Sequence, residues 1–367
     1  MLVLLFVCAG VTQGEETDGY KAVTGPCQFS FPENHGAHPG YQTEWWYYTG
    51  NLTATTGERF GFQLTFFRHQ LRPSDARRDW PEPASAWRTN QIYLAHAALT
   101  DLSARRHLMA EKVSREGLGM AGADRDAKGV RIYLHDWQTV ITLAGHTLRM
   151  TDEAFDLALT LAPTKGPVAH GEDGYSRKGS LPDQASCYYS FPRLAAKGRV
   201  RIGENHFSVT GQGWMDHEFS TAPLAKGLTG WDWFSLQLDN QHELMIYRLR
   251  QETGGVHPAS SGTLIGPEGE VVHLALSDFQ TRVIRRWTSP ATGGIYPLDW
   301  AIRLPAHGIQ LTLTAALDAQ EMITTGSTGV TYWEGSVSIS GEAGGKPVSG
   351  KGYMELTGYA DPEAPPL

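Results

Sequence analysis

His206-Phe207-Ser208-Val209-Thr210-Gly211-Gln212-Gly213-Trp214-Met215-Asp216-His217-Glu218-Phe219 returns near the C-terminus as Pro347-Val348-Ser349-Gly350-Lys351-Gly352-Tyr353-Met354-Glu355-Leu356-Thr357. Apolar, small and aromatic positions match one for one from Val209 to Met215 and from Val348 to Met354, whereas Asp216-His217-Glu218 becomes Glu355-Leu356-Thr357. Further blocks recur in the same order, which separates a repeat from chance. Glu44-Trp45-Trp46-Tyr47 opens the first copy and Trp231-Asp232-Trp233-Phe234 the second. Tyr188-Tyr189-Ser190 ahead of residues 198–202 matches Tyr332-Trp333-Glu334 ahead of residues 336–339. The pattern reads as a doubled scaffold in which the first copy alone carries the polar site.

The local pattern is that of strands. Phe60, Phe62, Leu64 and Phe66 alternate with Gly61, Gln63, Thr65 and Phe67, a period of two. Similar runs recur at residues 91–99, 130–134, 231–238, 243–249 and 309–315, among others, separated by turn strings such as Asp239-Asn240 and Gly266-Pro267-Glu268-Gly269. Helical periodicity is scarce, and 41 Gly with 20 Pro suit many short strands. An all-β fold of barrels or sandwiches follows. Gln63 and His69 in the first copy, and Ser235 and Gln237 in the second, interrupt the strands among many aromatics. Buried polar groups need partners, and ligand pockets combine apolar walls with a few polar anchors. We therefore expect barrels with a cavity, although any one of these aromatics taken alone reads as core.

A chain of 367 residues exceeds what one core usually serves. Two domains are expected, residues 27–219 and 220–361, joined by the small-residue stretch at 220–229. Lys+Arg 31 against Asp+Glu 39 gives a net charge of −8 with no basic block, which argues against nucleic acid and anionic surfaces as partners. Residues 1–14 form an apolar run ending at small residues, too short to span a bilayer, and read as a signal peptide lacking its basic start. The alternative is a buried N-terminal strand, while Val7 opposes a lipoprotein reading through Cys8. A signal peptide implies a periplasmic or secreted protein, with membrane association left open. Cys27 and Cys187 then remain, each ahead of a similar string, and either pair as a disulfide in an oxidising compartment or stay as buried thiols. Asn51-Leu52-Thr53 is a glycosylation triplet that matters only in a eukaryotic secretory host.

The block from His38 to Leu52, Gly61-Phe62-Gln63-Leu64-Thr65-Phe66-Phe67-Arg68, Tyr188-Tyr189-Ser190-Phe191-Pro192-Arg193-Leu194, Trp214 to Phe219 and Gly230 to Leu238 together resemble the AttH/carotenoid 1,2-hydratase family. The likeness runs from about Phe29 to Tyr359 and is stronger to the AttH branch. It implies two tandem lipocalin-like barrels, an exported bacterial protein, an apolar polyene, terpenoid or lipid ligand, and a link to ABC transport permeases. In the hydratase branch the closing block resembles Asp-His-Asn-Trp, so Asp216 and His217 match while Glu218 and Phe219 depart. Fold kinship alone transfers no reaction.

Hydrating an isolated alkene needs a strong acid, shelter for a carbocation and one delivered water. Asp216 or Glu218 could give the proton if burial raised its pKa, and His217 could orient the water. Trp45, Trp46, Trp231 and Trp233 could stabilise the cation, at about 0.5–2 kcal/mol each. The wider ligand-binding set is Glu44, Trp45, Trp46, Tyr47, Gln63, His69, Tyr189, Trp214, Trp231, Trp233 and Gln237. Strand alternation divides the catalytic trio, with Trp214, Asp216 and Glu218 on one face and Met215, His217 and Phe219 on the other. An inter-domain polar latch is the competing explanation of Asp216-His217-Glu218, and pairing with Arg68 or Arg193 that of Glu44. No Gly-x-Ser-x-Gly elbow is present, and His35-Gly36-Ala37-His38 lacks zincin spacing, so neither a hydrolase nucleophile, a metal nor a cofactor is expected. The two functional readings are a hydro-lyase and a non-catalytic lipid carrier serving an AttH-type ABC transport system.

Overall fold

In a computed structural model the described residues are 16–17, 19–73, 80, 82–83, 85–222 and 224–360. The expected signal peptide, residues 1–14, lies outside them. A short hairpin, β1 (Glu16–Thr17) with β2 (Tyr20–Lys21), precedes the first large sheet. That sheet is built from β3 (Thr43–Ala54), β4 (Arg59–Gln70), β5 (Gln91–Asp101), β6 (Arg106–Arg115), β7 (Ala121–Asp126), β8 (Gly129–Leu134), β9 (Trp137–Thr142), β10 (Gly145–Thr151), β11 (Phe155–Pro163), β12 (Val168–Ala169), β13 (Tyr175–Arg177), β14 (Ala185–Ile202) and β15 (Asn205–Ser220). The second contains β16 (Leu228–Leu238), β17 (Glu243–Gln251), β18 (Ser261–Ile265), β19 (Val271–Ala275), β20 (Gln280–Thr288), β21 (Ile295–Leu304), β22 (Ile309–Ala315), β23 (Glu321–Thr324), β24 (Val330–Ala343) and β25 (Lys346–Leu356).

Both sheets are antiparallel and curl on themselves into barrels. The first runs β6-β5-β4-β3-β15-β14-β11-β10-β9-β8-β7, the second β19-β18-β17-β16-β25-β24-β22-β21-β20. Laid side by side the two orders coincide over nine strands, with β8 and β7 left over in the first: β3 corresponds to β16, β15 to β25 and β14 to β24. Even the side strands correspond, since β12 and β13 pair with β14 as β23 pairs with β24. Register then fixes the equivalent residues. Asp216 faces Tyr47 and Ser190, and Glu355 faces Trp233 and Glu334, so Asp216 and Glu355 occupy the same place. By the same pairing Trp46 opposes His217 and Asp232 opposes Leu356, and the opening blocks align with Tyr47 over Trp233.

The alternation in β4 is obeyed: Phe60, Phe62, Leu64 and Phe66 are fully buried inside the first barrel. Its interior is a packed core and not the open cavity that the interrupted strands suggest. Gln63 points the other way, as do Ser235 and Gln237 in the second barrel. These outward faces, β14-β15-β3-β4 and β24-β25-β16-β17, lie against each other and bury Tyr47, Tyr188, Trp214, Trp233, Met245, Tyr247 and Tyr353 in a separate cluster. Approach is close enough that a Cβ on Gly61 would sit 2.9 Å from the Tyr353 hydroxyl and 3.1 Å from Ser336 Cβ, so only glycine fits there. Cys27 and Cys187 form a disulfide, tying the segment ahead of β3 to β14. Asn51 is buried in this junction, its amide donating to the Gly352 carbonyl and its oxygen accepting from Ser336, which removes it as a glycosylation site.

Candidate functional site

Alternation along β15 sends the expected catalytic trio to two different places. Inside the first barrel, Glu44 Oε1 meets His217 Nε2 at 2.8 Å and His38 Nδ1 at 2.7 Å. Its Oε2 accepts from Arg68 Nε at 2.8 Å and from the His38 backbone N–H at 2.8 Å. Asn34 Oδ1 already accepts from the Ser30 N–H, so the Asn34 amide donates to His38 Nε2 and the His38 proton sits on Nδ1, facing Glu44. With His217 Nε2–H also given to Glu44, His217 Nδ1 accepts from the Tyr189 hydroxyl at 2.9 Å, and His35 Nδ1–H donates to the Tyr189 oxygen at 2.7 Å. Trp46 stacks on His217 with ring centres 4.9 Å apart.

Burial alone would raise Glu44, but Arg68 and the two histidines hold it well below the usual carboxylate range. Burial lowers His217 against the pull of Glu44 and drives His35 down to about 3, so His35 is neutral. His38, Glu44 and His217 are also the group that could offer three ligand atoms to a metal, all within 4.8 Å of one another. A cation there would have to displace two imidazole protons and compete with the Arg68 guanidinium, so the donor set suits an ion-paired carboxylate better. Arg68 is one of the two partners foreseen for Glu44. Arg193 instead pairs with Glu243.

The other face of β15 enters the junction between the barrels. Asp216 Oδ1 accepts from Trp214 Nε1 at 2.6 Å and from Ser190, and Oδ2 accepts from the Tyr188 hydroxyl at 2.7 Å. Trp233 Nε1 donates to that same Tyr188 oxygen at 3.0 Å, and its ring meets Tyr47 edge-on at 5.1 Å. Glu218 bonds Ser186 and pairs with Lys178 at 3.0 Å. From the second barrel come Glu334, which accepts from Tyr47, and Glu355, which accepts from Trp231 Nε1 at 3.2 Å. Behind Asp216 runs a chain of Ser190, His170 Nε2 at 2.6 Å, and Thr263 on His170 Nδ1 at 2.8 Å.

Asp216 is thus a buried carboxyl with three donors and few cations. Burial raises it to about 7, the bonds from Ser190, Tyr188 and Trp214 pull it back, and Glu218 pushes it up. Glu355, which keeps some exposure at the rim, is raised by burial to about 7 as well, opposed by the Trp231 bond and reinforced by Asp216 and Glu218. Glu334 is driven well above the carboxylate range by burial and by Glu355, its facing residue in the ladder. Lys178 stays charged, since Glu218 and Tyr247 outweigh its burial.

The sequence reading is corrected on two points. The acidic set does not belong to the first copy alone, because Glu334 and Glu355 of the second face the same junction. His217, Glu44, Trp46 and Tyr189 do not join Asp216, because they lie across the sheet inside the barrel. Tyr47, Trp214, Trp231, Trp233, Gln63 and Gln237 do reach the junction, where Gln237 donates to the Pro192 and Gly213 carbonyls at 2.8 and 2.9 Å. Trp45 sits half-buried at its edge, and His69 half-buried at the far end of β4. Tyr188, Ser190, His170, Lys178, Glu334 and Glu355 are not among the site residues that the sequence leads one to expect. Glu355 and Glu334 were findable, since the repeat sets them opposite Asp216 and Ser190; His170 carries no such signal. Two cavities lie elsewhere. One, about 510 Å³, is lined by Cys27, Phe29, Phe31, Pro167 and Tyr189, and the other, about 450 Å³, by residues around Lys128 and Leu143.

The chain is similar to several known proteins. A kievitone hydratase of Fusarium solani subsp. phaseoli is 28% identical over 145 residues, which is 39% of this chain and 39% of that protein's length. A candidate AttH protein from Nitrosomonas europaea superposes with a TM-score of 0.80 at 32% identity, over 92% of this chain and 99% of that one. The kievitone hydratase of Nectria haematococca superposes at 0.70 with 15% identity, over 94% and 97%. CghA bound to Sch210972 superposes at 0.58 with 13% identity, over 94% and 98%, and these last two likenesses speak to the fold alone. The family model described as AttH-like matches residues 22–359, so this two-barrel chain, with its facing acidic sheets, belongs to the AttH-like family.

Proposed function

We propose that the chain is a hydro-lyase that adds water to an alkene of an apolar polyene, terpenoid or lipid at the inter-barrel junction. The observation that carries this reading is Asp216, a carboxyl poised at about 7 and held by Trp214 and by Tyr188, to which Trp233 donates in turn. The partial sequence likeness to a kievitone hydratase supports it. Asp216, protonated, gives its proton to one alkene carbon. The indole faces of Trp214 and Trp233 shelter the cation, at about 0.5–2 kcal/mol each. Water attacks the cation and passes a proton to the Glu355 carboxylate, whose partial exposure admits the water. Proton transfer from Glu355 back to Asp216 closes the cycle, and the product is an alcohol. Because the junction is filled by its own side chains, a ligand enters by parting the rim at Trp45 and Trp231.

Incubation with trisubstituted prenyl alkenes in 18O-labelled water, read by mass spectrometry, tests this. Wild-type protein should incorporate one labelled oxygen, and Asp216→Asn should lose at least ~100-fold of the rate while keeping its fold. An Asp216→Asn protein of full activity removes the acid role. The wide cleft beside Phe29, Phe31 and Tyr189 favours a second reading, a carrier holding an unchanged apolar ligand for a transporter; lipids recovered unmodified from the purified protein would support it. The Cys27–Cys187 disulfide supports export to an oxidising compartment.

A further inference from the structure

Three buried polar atoms at the junction have no hydrogen-bond partner: Thr49 Oγ1, Gln63 Oε1 and Tyr353 OH. Their residues are at most 1% exposed. They are also neighbours. Thr49 and Gln63 face each other across β3 and β4, and both point out of the first barrel. The Tyr353 hydroxyl, from the second barrel, lies over Gly61, which is the next outward position on β4 beside Gln63. The surrounding polar groups are satisfied: Asn51 bonds Ser336 and Gly352, and the Gln63 amide nitrogen donates to Thr65 at 2.5 Å. An unpaired buried polar atom is costly and rare in folded proteins, and three from two domains at adjoining positions are a concentration that packing does not explain.

We propose that Thr49, Gln63 and Tyr353 form a hydroxyl-binding subsite, so that the ligand of the junction is an apolar chain carrying a hydroxyl group. The inference rests on the junction being the ligand site. Its chemistry follows from the atoms. Gln63 Oε1 can only accept, whereas Thr49 and Tyr353 can donate; a hydroxyl has one proton to give and two lone pairs to receive. An alcohol therefore satisfies all three at once. A carbonyl leaves Gln63 Oε1 unpaired, and a hydrocarbon leaves all three. The subsite is set apart from the acid in a defined way. Thr49 faces Trp214 and Tyr47 faces Asp216, so the two rungs are two residues apart along β15, roughly 7 Å. The hydroxyl it grips is thus remote from the carbon that Asp216 would protonate.

Binding of farnesol and of farnesene to the full chain, followed by tryptophan fluorescence, tests the subsite without requiring turnover. Wild-type protein should bind farnesol at least ~10-fold more tightly than the hydrocarbon. Tyr353→Phe and Gln63→Met should each reduce that preference to under ~3-fold while leaving farnesene affinity in place. Since the Tyr353 hydroxyl has no partner in the ligand-free protein, Tyr353→Phe should melt no lower than wild type. Equal binding of both probes by wild type, or a preference that survives both substitutions, overturns the subsite and leaves the junction reading standing; it would assign the three atoms to a trapped water. Failure of both probes to bind overturns the subsite and the junction reading together.

Discussion

β15 and β25 are the same strand twice, and they have kept different things. On the outward face the repeat holds its chemistry: Trp214 and Tyr353 are aromatic, Asp216 and Glu355 are acids, and both acids are raised to about 7. On the inward face it does not. Met215 and Met354 agree, but His217, bonded to Glu44 and Tyr189, is replaced by Leu356, and the second interior holds a different ionic set in which Asp232 pairs with Arg248 and Arg250 and accepts from Tyr359. The outward faces share one junction, so a change in either copy is felt by both. Each interior is felt only by its own barrel, and is free to drift from one ionic arrangement to another.

The largest expected effect beyond Asp216 itself is on its counterpart. If Asp216 gives the proton and Glu355 receives one, Glu355→Gln should slow turnover by ~10–100-fold and remove the limb of the pH–rate profile that falls below about 7, leaving the loss above about 7. Loss of the alkaline limb instead would exchange the two roles. A rate and profile like wild type would make the second carboxyl a latch between barrels. The pair titrates as a unit, so the profile is to be fitted with two apparent constants for the pair.

The interior network should affect stability and not turnover. His217→Leu copies the second barrel into the first, and takes a donor from Glu44 and an acceptor from Tyr189. Because both partners stay buried, the cost is about 1–3 kcal/mol, measured by urea unfolding. Turnover of the folded variant should stay within ~3-fold of wild type. A loss of ~100-fold or more would mean that the barrel interior takes part in the chemistry.

Fold and site were legible to different depths for physical reasons. Period-two alternation in residues 60–67 and the ordered repeat carry the barrels, because burial of one face stamps itself on every second residue. The same rule splits Asp216 and Glu218 from His217 before any coordinates are seen. Which face is the core and which the junction is not written locally, since both bury aromatics: Trp46 and Tyr47 look alike in sequence, yet one stacks on His217 inside the barrel and the other bonds Glu334 between barrels. Glu355 was discounted because its neighbours Leu356 and Thr357 had lost the polar pattern, although the pairing of Met215 with Met354 placed it in register with Asp216. His170 sits in a segment with no counterpart motif, and only the folded chain brings it to Ser190.

The smallest effect isolates the junction most cleanly. A carboxyl raised in the folded state binds its proton more tightly there than when unfolded, so its contribution to stability is fully present below about 4 and is lost as pH rises through about 7. The buried histidines act in the opposite sense. His35, His146 and His170 are lowered to about 3 by burial, so they favour the folded state increasingly as pH rises towards their unfolded value near 6.5. A melting curve of wild type alone mixes the two trends, but Asp216→Asn changes only the first. The melting temperatures of the two proteins should differ least near pH 4, and the variant should gain on wild type by a few degrees, on the order of 2–4, as pH rises to 8. A gap that stays constant across this range would mean that Asp216 ionises in the folded protein as freely as in the unfolded one, and the junction would then hold an ordinary carboxylate with no proton to give at neutral pH.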